Sequence, residues 1–217
     1  SLGMYDHPSQ QGANDRFWTA IRTHLGDGPQ DLTRDGGLME IWTSSALVLG
    51  QTCGFPYRAA LIGRVTRIGT PDYGLEGCPP GYYRSLMLRR KGEGNAPVRV
   101  FAYNDGLSHS GWAAPSAWLA TRGIQPAQFF ETGAHAGSAR AVADGRADLC
   151  GIDARTWATI GAHDGLAAAL DVVGHTAPAP GLPMITALGR DPAPIRQAIA
   201  HAIAQMPDAD RALLGLR

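Results

Sequence analysis

The segment Asp105-Gly106-Leu107-Ser108-His109-Ser110-Gly111 gathers two hydroxyls and an imidazole at one turn. Ahead of it, Val98, Val100 and Phe101 are the β-branched and aromatic types that suit a buried strand. Asn104-Asp105-Gly106 is a turn signal, because glycine takes positive φ without steric cost. Behind it, Ser108 and Ser110 are helix-capping types placed just before the apolar positions Trp112, Trp118 and Leu119. A strand, turn and helix in this order set hydroxyls and backbone N–H groups at the positive end of a helix dipole. That chemistry suits an anion. The plainer alternative is that one serine only caps the helix.

Two more polar residues stand at strand-to-helix turns. His135 follows Gly133-Ala134 and opens a helical stripe through Ala139, Val142 and Ala143. Asp153 follows the apolar strand Leu149 to Ile152 and precedes Ala154-Arg155-Thr156, where it could cap a helix. Cys53, His135 and Asp153 are also the ingredients of a thiol triad, and Ser108 with His109 those of a hydrolase. Neither set has a supporting motif such as G-x-S-x-G, and types scattered over about a hundred positions include such a set by chance in most proteins. No C-x₂-C or H-x₃-H spacing occurs, so no metal and no cofactor is expected. A binder without catalysis is the expectation, with an enzyme or a cytoplasmic ligand-sensing module on the same fold, acting on a thiamine-like or other small metabolite, as the alternative.

The elements that must position these residues alternate. Met4-Tyr5-Asp6 reads as a first strand and 14–25 as a helix carrying Phe17, Trp18, Ile21 and Leu25 on its apolar side. A short helix is expected at 38–42, a buried strand at 46–50 with Gln51-Thr52-Cys53-Gly54 as its polar exit, a helix at 55–62 and a strand at 64–70. Strands at 83–90, 98–103, 128–132, 149–152 and 170–176 follow, with helices from Ser110 to about Thr121, from His135, from Ala154, at 194–206 and at 208–214. Pro115 is placed to kink the first of these. Strand alternating with helix is the grammar of an open α/β sheet, whose ligands sit at the carboxyl ends of the strands. The Gly- and Pro-rich segments 72–81 and 177–183 read as two crossings between lobes, and 91–97 as a polar turn.

Asp105-Gly106-Leu107-Ser108-His109-Ser110-Gly111 resembles the Asp-Pro-x-Ser-x-Ser-Gly segment of the phosphate/phosphonate-binding proteins of ABC transporters, with Gly106 for the proline and His109 for the middle hydroxyl. Gly133-Ala134-His135 followed by Ala141-Val142-Ala143-Asp144-Gly145-Arg146-Ala147-Asp148 is similar to that family's Gly-x-His … Ala-Val-x-x-Gly-x-x-Asp pattern. The resemblance implies a type II periplasmic-binding-protein architecture: α/β, two Rossmann-like lobes with mixed sheets, lobe 1 at 1–74 plus 179–217 and lobe 2 at 75–178. It implies capture of a small anion, a phosphonate, phosphate or phosphate ester, between the lobes. Ser108, His109, Ser110, Gly111 and His135 would hold the anion, and Asp153 would meet an ammonium on the ligand. Met4-Tyr5-Asp6, Gln51-Thr52-Cys53-Gly54 and Tyr83-Arg84-Ser85 occupy positions resembling family pocket segments, with Tyr5, Thr52, Tyr83 and Arg84 as their ligand-binding residues. Gly181-Leu182-Pro183 stands where a second acidic residue belongs, and the linker at Lys91 to Pro97 is shortened. Implied partners are the membrane subunits of an ABC transporter, and the implied location is the periplasm. A monomer is expected.

Composition fits a folded chain and narrows the partners. Of 217 residues, 44% are hydrophobic and 18% charged, as in ordinary globular proteins. Nineteen basic and nineteen acidic residues cancel, which gives no electrostatic case for nucleic acid or an anionic membrane. No apolar run approaches the ~20 residues that span a bilayer. The opening residues do not read as a signal peptide, which leaves export and a cytoplasmic location both open. Cys53 and Cys78 lie in loop-like contexts where a disulfide is possible, and Cys150 reads as a small core residue.

Overall fold

The computed structural model describes residues 1–94 and 96–217. In chain order the elements are α1 (Gln11–Leu25), α2 (Leu38–Thr43), β1 (Gly50–Gln51), α3 (Gly54–Pro56, prolonged by a π-turn at Tyr57–Leu61), β2 (Val65–Gly69), β3 (Tyr82–Tyr83), β4 (Ser85–Arg90) and β5 (Val100–Tyr103). There follow a π-turn at His109–Ala113 leading into α4 (Ala114–Ala120), β6 (Gln128–Glu131), α5 (His135–Ala143), β7 (Leu149–Asp153), α6 (Ala154–His163) and β8 (Leu170–His175). β9 (Ala179–Pro180), β10 (Met184–Ala187), α7 (Pro192–Ala204) and α8 (Asp208–Leu214) complete the chain. Two compact units result: Ser1–Gly74 with Pro180–Arg217, and Leu75–Ala179.

In the first unit, β10 lies between β1 and β2 and is antiparallel to both. All four β10 residues are buried. Phe17, Trp18 and Ile21 of α1 pack with Ile195, Ala198 and Ala202 of α7 and with Met184. Two expectations are corrected here. Met4-Tyr5-Asp6 is not a strand: Gly3–Tyr5 is a 3₁₀ turn. The cause is local. Asn14 on α1 donates its side-chain amide to Tyr5 O and Asp6 Oδ1, and Arg34 pairs with Asp6, so the chain is drawn round onto the helix. The strand expected at 46–50 is buried but regular only at its end, Gly50–Gln51. Leu47 O accepts from both Ala187 N and Thr186 Oγ1, an irregular clasp onto β10 that occupies what would have been a ladder.

The second unit holds a five-stranded sheet in the order β6-β5-β7-β4-β8. β5 is parallel to β6 and β7, while β4 is antiparallel to β7 and β8. The ends of β6, β5, β7 and β8 therefore share one rim with the start of β4. Side chains alternate across the strands. Met87, Phe101 and Leu149 meet Leu119 of α4 on one face. Leu88, Ala102, Cys150 and Ile152 meet Ala139, Val142 and Ile160 on the other. The turn expected at 91–97 includes Asn95, which lies outside the described residues. Beside it the buried Arg89 donates Nη1 to the carbonyls of Glu93, Gly94 and Ala96. Cys150 is a buried core residue, as expected, and burial pushes its thiol pKa up. Among the described residues no helix is long and apolar enough to cross a membrane.

Candidate functional site

At the carboxyl rim of the second unit the chain leaves β5 through Asn104 and turns. Asp105 makes the turn: its Oδ1 accepts from Leu107 N at 2.6 Å and its carbonyl from Ser108 N at 3.0 Å. Ser108 is the N-cap, with Oγ accepting from Gly111 N at 3.0 Å. Its own carbonyl accepts from Trp112 N and Ala113 N. The first helical turn is thereby widened into a π-turn just before Pro115, which has no N–H to continue a tighter ladder. Trp112 fixes this turn to the sheet, its ring 4.6 Å from Tyr103 and 5.2 Å from Phe129.

His135 arrives from β6. Thr132 donates its N–H to Tyr103 O and its hydroxyl also lies 3.0 Å from that carbonyl, while Ser138 Oγ sits 2.7 Å from Thr132 Oγ1. These bonds hold the start of α5 beside the exit of β5. There His135 Nε2 meets Ser110 Oγ at 3.0 Å. Desolvation of the ring pulls the His135 pKa down to about 4, so the imidazole is neutral near pH 7. In a neutral ring one nitrogen donates and the other accepts. Nδ1 is buried with no hydrogen-bond partner among the described residues.

Gly111 is where these groups converge. A Cβ built on it would lie 1.7 Å from Asn104 Oδ1 and 3.2 Å from His135 Cε1. The Asn104 amide thus fills the space a side chain at 111 would take. Its Oδ1 is buried and has no hydrogen-bond partner among the described residues. Three orphaned buried atoms therefore stand along this rim: Asn104 Oδ1, His135 Nδ1 and Ser85 Oγ at the start of β4. Such atoms are rare in folded proteins and ask for an explanation.

The other expected residues fall as follows. His109 faces Tyr83, ring centroids 5.8 Å apart. Arg84 lies over Gly77, where it stands near Cys78, and its carbonyl accepts from Ala154 N. Burial pushes the Cys78 thiol up against the opposing influence of Arg84. Asp153 pairs in register with Ser85 and caps α6, its Oδ1 accepting from Arg155 N at 2.7 Å and Thr156 N at 3.0 Å. Asp153→Ala is expected to cost ~1–2 kcal/mol of stability in a urea titration, and Asp153→Asn only a few tenths. Tyr5 and Thr52 belong to the first unit: Tyr5 packs edge-on against Tyr73 at 5.1 Å, and Thr52 is fully buried with its N–H on Pro183 O. Ser108, Ser110, Gly111 and His135 are therefore brought together, with Asn104 as the residue the sequence reading missed. Asn104 looked like a turn former, a task that Asp105 performs. Ser85, quoted with Tyr83 and Arg84 for its resemblance to a family pocket segment, stands on the same rim in register with Asp153.

The family model described as the periplasmic substrate-binding protein of phosphonate ABC transporters matches residues 88–216. No curated protein matches the chain in sequence. Among solved structures, a binding protein component of an ABC phosphonate transporter from Pseudomonas aeruginosa aligns over 98% of this chain and 76% of its own, with 14% identity and a TM-score of 0.71. PhnD1 from Prochlorococcus marinus, solved with methylphosphonate, aligns over 94% of this chain and 82% of its own, with 12% identity and a TM-score of 0.72. A protein from Xanthomonas citri bound to ATP covers 96% of this chain and 86% of its own, at 16% identity and a TM-score of 0.63. These likenesses show the fold, that of type II periplasmic binding proteins.

Proposed function

The chain belongs to the family of periplasmic substrate-binding proteins of phosphonate ABC transporters, and on that premise we propose that it captures a small phosphonate, phosphate or phosphate-ester anion for delivery to the membrane subunits of such a transporter. The family is one of solute binders and not of enzymes. The residues agree with that. Of the thiol-triad ingredients, His135 bonds Ser110 and Asp153 caps α6. By family the working compartment is the periplasm.

The observation that carries the reading is the half-buried Ser110–His135 bond at the start of the widened turn, flanked by His135 Nδ1 and Asn104 Oδ1, both buried and without a hydrogen-bond partner among the described residues. With Ser110 O–H donating into Nε2, Nδ1–H becomes a directional donor with nothing to bond. An oxyanion would satisfy it, and would also meet the Ser108 hydroxyl and the helix dipole. Affinity in this scheme comes from donors already in place, which replace the anion's water without reorganisation.

Isothermal titration of phosphate, methylphosphonate and a phosphate monoester tests this directly. At least one is expected to bind, and Ser110→Ala is expected to weaken it by ~1–2 kcal/mol, because no hydroxyl then holds the ring in the tautomer that presents Nδ1–H to the anion. An affinity unchanged by Ser110→Ala would remove the turn from the ligand site.

A further inference from the structure

We propose that Asn104 is a specificity residue, reading a hydrogen carried on the ligand's own anionic group, so that the site favours an anion bearing P–OH over one that bears none. This rests on the anion-capturing role proposed above. The other groups left to meet the ligand can donate: the hydroxyl of Ser108 and the neutral imidazole of His135 through Nδ1, while Ser110 spends its hydrogen on Nε2. Asn104 presents its carbonyl oxygen. The amide orientation follows from the contact with Gly111, where Oδ1 lies against the glycine backbone at the place of a missing Cβ. An amide NH₂ turned to that spot would press its hydrogens onto those of Cα, whereas an oxygen there is tolerated.

Oδ1 is buried and unpaired, and His135 Cε1 borders the same spot. A fully deprotonated oxyanion offers only acceptors, and set beside Oδ1 it would leave that oxygen unpaired and repelled. A phosphonate or phosphate monoester in its singly protonated form brings one O–H together with its acceptor oxygens. The donors of the turn take the oxygens and Asn104 takes the hydrogen. A sulfonate has the same shape and a single charge but no hydrogen to give. A buried polar group left unpaired by the wrong ligand is a strong source of discrimination.

The experiment compares methylphosphonate with methanesulfonate by calorimetry at mildly acidic pH, where the phosphonate keeps its P–OH. The unmutated protein is expected to prefer methylphosphonate by about ten- to a hundredfold. Asn104→Leu, close in shape but without the carbonyl, is expected to erase most of that ratio while methanesulfonate affinity stays within about threefold. The sulfonate affinity reports whether the turn is intact. Should Asn104→Leu not fold, Asn104→Ala removes the same oxygen, and the ratio is read there. A ratio unchanged by the substitution, or both ligands weakened equally, overturns the role of Asn104 and leaves anion capture standing. If neither methylphosphonate nor phosphate binds the unmutated protein, the two readings fall together.

Discussion

Replacing Gly151 with valine is expected to destabilise the second unit by about 3 kcal/mol and to abolish measurable anion binding. Gly151 lies in the middle of β7, on the face that carries Leu149 and meets α4. A Cβ there would fall 2.2 Å from Pro115 Cγ, 2.9 Å from Pro115 Cβ and 3.2 Å from the Ser110 carbonyl oxygen. None of these is the free end of a flexible side chain. Pro115 is a closed ring in the first turn of α4, and Ser110 O belongs to the π-turn backbone. The only relief is to lift the turn and the helix from the sheet. That movement also carries Ser110 away from His135, which α5 holds from the β6 side through Thr132 and Ser138. Stability and binding should therefore fail together. Urea titration followed through tryptophan emission, with calorimetry on the same sample, measures both. A midpoint within error of the unmutated protein would mean that α4 does not depend on the bare backbone at 151.

That dependence shows which parts of the molecule are legible in a bare sequence. Strands β4, β5, β7 and β8 announce themselves, because each is an apolar or β-branched run closed by polar or glycine-rich residues. The anion-type turn is legible as well, since a strand, Asp-Gly and two serines before an apolar helix obey local rules of turn and cap chemistry. Asp153 kept two readings in the sequence, and its two backbone bonds at the head of α6 establish the capping one. What stayed hidden is whatever tertiary pairing decides. Met184–Ala187 follows a proline-rich stretch and is only four residues long, yet it is the central strand of the first unit because β1 and β2 have no other partner. Met4-Tyr5-Asp6 has strand-like types but bends to Asn14 and Arg34, a contact between segments that no periodicity contains. Asn104 gains its interest from the burial of Oδ1 without a hydrogen-bond partner among the described residues, and burial is a property of the packed molecule rather than of neighbouring letters.

Acid should unfold the protein partly through His135. Its ring is desolvated at the head of α5, and its pKa falls to about 4 from an ordinary value near 6.5. The folded state thus refuses a proton that the unfolded chain takes up readily. Between those two values the unfolded state binds more protons, so stability rises with pH across the interval and is lost as pH falls from about 6.5 to about 4. Above 6.5 the residue is neutral in both states and contributes no slope. The depression is on the order of 2–3 kcal/mol at its full extent, an upper figure because His135 as a residue is only partly buried. His135→Gln keeps a side-chain amide within reach of Ser110 and removes the titration. The difference between the two stability curves isolates this one group, whatever other residues titrate in common. It should be flat above pH 6.5 and should narrow, then reverse in favour of the glutamine variant, as pH approaches 4. Parallel curves across that range would show that the ring takes up its proton freely in the folded state. The Ser110–His135 pair would then be open to water instead of forming a dry anion cradle.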